Sequence, residues 1–119
     1  MQIWYDRQGQ PLDVEQANTL LGDMDYKRVA LTEITSSSDP SIKHRVSTVW
    51  LGCDHSFGEG APIIFETMVF GIEGADEYMQ RYATEEQARA GHAETVTVVA
   101  ATVPDEQITE LSEWPPAKG

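Results

Sequence analysis

The chain has 119 residues, 40% of them hydrophobic and 24% charged, which is the composition of one globular domain and not of a disordered segment. Twenty acidic side chains against eight basic ones give a net charge of −12; such a surface repels phosphate and anionic lipid, disfavours direct nucleic-acid or membrane binding, and favours a protein partner with a basic surface. No apolar run reaches the roughly 18 residues that a membrane-spanning helix needs, and one cysteine cannot make an intrachain disulfide, so a soluble cytoplasmic protein is expected.

The first five residues alternate weakly and predict a short strand, closed by a turn in which Gly9 supplies a positive φ. Asp13 with Gln16 three positions later forms a capping box, and Val14, Ala17, Leu20 and Leu21 follow at helical spacing, predicting a helix over 13–22 that stops at Gly22. Residues 26–35 read as a half-buried strand, and the serine-rich run 36–41 as a loop.

Residues 44–51 and 63–70 are rich in β-branched and aromatic side chains on both faces, which predicts two central antiparallel strands joined by a long glycine-containing loop. Glu66 lies in the middle of the second strand, so it must face solvent or find a partner, with Arg45 and His55 as candidates. Residues 77–82 predict an edge strand. Thr84-Glu85-Glu86-Gln87 is a second capping box with acidic first-turn residues, and it opens the strongest helix signal, 85–100, with Ala88, Gly91 or His92, Thr95, Val96 and Val99 on the buried side. After Pro104, residues 105–113 are expected to add one or two helical turns, and 115–119 to be a frayed tail beyond a single domain of 1–114.

The resulting fold class is α+β: an antiparallel sheet of three or four strands, the long C-terminal helix packed on one face and the short N-terminal helix at the edge. Charge is uneven along it. Residues 1–45 carry a net −2 and residues 46–119 a net −10.

Candidate chemistry gathers around the central loop. Cys53, Asp54 and His55 adjoin one another, but no recognised ligand spacing links them to His44 or His92, so neither metal nor cofactor is expected. Cys53 and His55, two apart, can share a face; the plainer reading is that Asp54 caps a turn and Cys53 packs as a small apolar residue. Glu59, Glu66 and Glu73 lie seven apart without the pairing that acid and base catalysis needs. His92 reads first as a satisfied core residue. Phe57 sits between Ser56 and Gly58 with no pattern that buries it, so it is the expected centre of an interaction surface with Glu59, Glu73, Asp76 and Glu77.

The run STVWLGCDHSFGEGAPIIFETMVFG, followed by RYATEEQARAGH, resembles a group of small uncharacterised proteins encoded by bacteriophages and prophages, with similarity from about Tyr5 to Val99. Cys53 stands where that group more often has Leu, which argues against a working thiol. The resemblance implies a phage or prophage accessory protein acting in the cytoplasm of a bacterial host; it brings no activity or cofactor. Three functions follow as expectations. The leading one is a non-enzymatic acidic interaction module that engages a basic surface, such as that of a nucleic-acid-binding defence protein of the host. A virion or assembly component is the second, with homo-oligomerisation open. The third is a small hydrolase or metal-dependent enzyme built on Asp54, His55, Glu66 and His92.

Overall fold

The computed structural model describes residues 2–56, 60–71 and 76–114, with the side chains of 76–78 outside the description. Asp13 caps helix α1 (Val14–Leu21) with the reciprocal Gln16 bond that its sequence predicts, and Gly22 closes it. A single further turn, α2 (Met24–Lys27), is capped by Asp23 and delivers the chain into the sheet.

Four strands then run as an antiparallel meander: β1 (Arg28–Ser36), β2 (Lys43–Trp50), β3 (Phe65–Phe70) and β4 (Asp76–Tyr82). Helix α3 (Glu85–Ala100) begins at the Thr84–Gln87 capping box and crosses the sheet, packing on all four strands. Its sixteen residues give about 24 Å of rise, enough to carry the chain back over a four-strand width of about 15 Å. The chain therefore re-enters the sheet on the far side, where β5 (Glu106–Glu110) pairs antiparallel with β1 and sets the strand order β4-β3-β2-β1-β5.

That last strand corrects the expectation in two ways, since the sheet has five strands and residues 105–113 hold no helical turn. Asp105 takes a left-handed backbone (φ 49°), turning the chain after Pro104, and Glu106 to Glu110 then align with Ser36 to Thr32. The open edge of β1 supplies a hydrogen-bonding template that local sequence does not reveal. At the other end the expected first strand is reduced to isolated bridges, Trp4 with Cys53 and Tyr5 with Pro11, around a turn in which Gly9 has φ 82°. Arg7 fastens this turn by bonding Glu85 at 2.8 Å and the Tyr26 carbonyl at 3.0 Å.

The core lies between α3 and the sheet, as two apolar clusters. One joins Trp50, Ile64, Phe65, Tyr82 and Ala88; the other joins Ile34, Val46, Val69, Ala100 and Val103. Val96 and Val99 pack against the second, and Gly91 leaves room on α3 for the Tyr82 ring. A Cβ at Gly91 would lie 2.2 Å from the Tyr82 hydroxyl. Gly91→Val should therefore lower unfolding free energy by about 1–3 kcal/mol through overpacking. Gly22→Ala, whose added carbon meets nothing closer than 3.6 Å, should change the urea midpoint little.

Candidate functional site

Strand alternation assigns the sequence-predicted residues to different places. On β2 and β3 the side chains of Val46, Thr48 and Trp50, and of Phe65, Thr67 and Val69, face α3, because these residues form the clusters beneath it or bond to it. Glu66, adjacent to Thr67, projects from the opposite face. It is buried there and pairs with Arg81, its direct cross-strand neighbour, at 3.0 Å. Neither Arg45 nor His55 is its partner. Arg45 instead pairs with Glu33, opposite it on β1, also at 3.0 Å.

His92 lies under α3 in the row between the two apolar clusters. Its Nε2 is 2.8 Å from the Thr32 hydroxyl and its Nδ1 is 2.7 Å from that of Thr48, which in turn lies 2.6 Å from the Thr67 hydroxyl. Both ring nitrogens are thus occupied. Burial pushes the His92 pKa below its usual value, with Glu110 opposing and Arg89 assisting the shift, so the ring is neutral and one nitrogen donates while the other accepts. This is the satisfied core histidine of the plainer reading, and the three threonines are partners that local sequence did not single out. Parity holds a signal for two of them: Thr48 shares the face of Val46 and Trp50, and Thr67 that of Phe65 and Val69.

Asp54 lies beyond the end of β2, and its Oδ1 accepts backbone N–H bonds from Ser56 and Ile63, both at 2.8 Å. Those bonds, the Ile63 one foremost, hold its carboxyl below the usual pKa. It is a turn cap. Next to it the Cys53 sulfur lies 3.3 Å from His55 Nε2, so these two do share a side as their spacing allows. Of the four residues of the enzymatic reading, Glu66 and His92 occupy opposite faces of the sheet, and the Asp54 carboxylate is bonded within the loop. Among the described residues, no three or more of His, Cys, Asp and Glu are grouped so as to hold a metal ion. Phe57, Glu59 and Glu73 lie outside the described residues, as do the side chains of Asp76 and Glu77, whose backbone belongs to β4.

No protein-family model, curated protein or solved structure matches the chain.

Two features outside the predicted set stand out. All five arginines, Arg7, Arg28, Arg45, Arg81 and Arg89, are tied to carboxylates. By contrast Glu86, Glu94, Asp105, Glu106, Glu110 and Glu113 are exposed and make no ion pair among the described residues. The second feature is a cleft of about 350 Å³ at the end of the sheet, where Lys43, Arg45, Phe70 and Trp114 meet.

Two measurements check the buried polar row. Thr48→Val keeps the shape but strips a partner from His92 and from Thr67, and should cost about 1–3 kcal/mol in chemical denaturation. The lowered His92 pKa means that the unfolded chain binds the proton more readily, so its contribution to stability is present above about pH 6.5 and falls away as pH drops through that value. Unfolding free energy should decline between about pH 7 and pH 5, and His92→Gln should flatten that decline relative to the parent protein.

Proposed function

We propose that the protein is a non-catalytic acidic interaction module, a phage or prophage accessory protein that captures a basic surface of another protein. The observation that carries this reading is the asymmetry of charge pairing. Every arginine is bonded to a carboxylate, Arg7 and Arg89 sharing Glu85, and the unpaired exposed acids leave the outward field negative. Such a field accelerates encounter with positively charged partners and opposes nucleic acid. A surface of this kind competes with phosphate for a basic groove, which makes a nucleic-acid-binding defence protein of the bacterial host the partner class of choice.

Within the described residues the densest acidic stretch is 105–113. Asp105, Glu106, Glu110 and Glu113 follow one another without a basic residue, and all five residues of β5 are exposed. Acidic side chains along an edge strand also discourage pairing with another copy of the same strand, since like charges would face each other.

Immobilised protein incubated with bacterial lysate should retain basic proteins at low salt and release them as salt rises. Reversing Asp105, Glu106, Glu110 and Glu113 to Lys should abolish that retention. Capture that persists unchanged in the reversed variant, or at about 0.5 M salt, where the Debye length falls to a few ångströms, would remove the basis for this reading.

A further inference from the structure

The cleft at the end of the sheet is lined by two cationic side chains and, among the described residues, by no carboxylate. Lys43 and Arg45 project from alternate positions of β2 on the face away from α3, and the cleft is completed by Pro40, Ser41, Phe70 and Trp114. The two rings are in edge-to-face contact, centroids 5.4 Å apart at 81°. The Arg45 guanidinium lies 5.2 Å from the centre of the indole. Trp114 still exposes 39% of its surface.

The hydrogen-bonding groups around the cleft divide into engaged and available. Ser41 turns both its N–H and its hydroxyl to Asp39 Oδ1, at 3.0 and 2.6 Å, so it offers the cleft no free proton. Glu33 takes the Nε proton of Arg45. The terminal guanidinium nitrogens of Arg45 make no other hydrogen bond among the described residues, and Lys43 is exposed and makes no ion pair among them. Two cations with protons to give, beside a partly exposed indole, are complementary to an anionic group carried on a flat ring.

We propose that this cleft binds a small anion bearing a planar aromatic ring, with the anionic group on Lys43 and Arg45 and the ring against Trp114. The shared chemistry covers a nucleoside monophosphate and an aromatic carboxylate. Of the carboxylates beside the cleft, Glu33 is bonded to Arg45 and Asp39 to Ser41, and more distant charges are screened over about 8 Å at physiological salt. The site is independent of the acidic surface: one takes a cation-bearing protein, the other a small anion.

The test follows the indole N–H resonance of Trp114, assigned by its disappearance in Trp114→Phe, during titration of the full chain. Adenosine 5′-monophosphate and 2-naphthoate represent the two sources; adenosine supplies the ring without the charge, and inorganic phosphate the charge without the ring. A saturable shift with the phosphate ester, the carboxylate or both, and at least about tenfold weaker binding by adenosine and by phosphate, is the expected result, each lacking one charge-assisted or stacking contact. The responding anion identifies the source. Lys43→Ala, a change at an exposed position that should leave the melting curve unaltered, should weaken the same titration about tenfold. The proposal fails if neither aromatic anion shifts the resonance at 10 mM, if phosphate or adenosine alone binds as well, or if Lys43→Ala binds like the parent.

Discussion

Four buried polar side chains between one helix and one sheet govern this structure. Thr32, Thr48 and Thr67 would each carry a hydroxyl into an apolar interior, at a cost of a few kcal/mol if left unbonded. A single imidazole, held on the middle of α3, satisfies this row. The requirement fixes more than one bond. It sets the rotation of α3 about its axis and its position along the sheet, because only one placement brings His92 between Thr32 and Thr48. That placement puts Ala88 over one apolar cluster and Val96, Val99 and Ala100 over the other. Apolar packing tolerates sliding; a two-sided hydrogen bond does not.

The opposite face uses a different device for the same problem. Glu66 and Glu33 sit mid-strand, where isolated carboxylates would be costly, and each meets an arginine directly across the ladder. Cross-strand ion pairs of this kind favour one register over a two-residue slip, which would set Glu66 against Met79 or Ala83 in place of Arg81. The sheet is thus held in register from both sides, by neutral hydroxyls under the helix and by charges on the uncovered face. Each pair takes up one acid with one arginine, and the excess of twenty acidic over eight basic residues leaves the remaining carboxylates on the exterior.

Local sequence revealed what local physics determines. The two capping boxes, at Asp13 and Thr84, mark the helix starts, and the 85–100 helix is found over the range its periodicity predicts. Alternation located the four strands of the meander to within about two residues, the ordinary uncertainty of such boundaries. What escaped was decided by distant residues. Residues 106–110 contain Ile108 and Thr109, but their strand state depends on an edge of β1 seventy or more positions earlier. Arg81 could be named as the partner of Glu66 only once the β3–β4 register was known. His92 was readable as a core histidine from helix spacing, whereas its pairing with Thr32 depends on how β1 lies beside β2. The candidate site behaved likewise: nearness in sequence brought Cys53 and His55 together, whereas Glu66 lies on the sheet face away from His92 because it alternates with Thr67, which faces the helix.

The late arrival of β5 has a consequence for synthesis. A ribosome completes β1 long before it reaches Glu106, so the growing chain carries an unpaired strand edge throughout the making of the meander and of α3. That edge is a template for any other extended segment nearby. Closure of the sheet is a long-range event, slow by its topology, and the like charges of residues 105–113 oppose pairing of this segment with its copy on another chain. In a crowded polysome, the order of translation and the charge of one short strand therefore both bear on whether nascent chains finish alone or join each other.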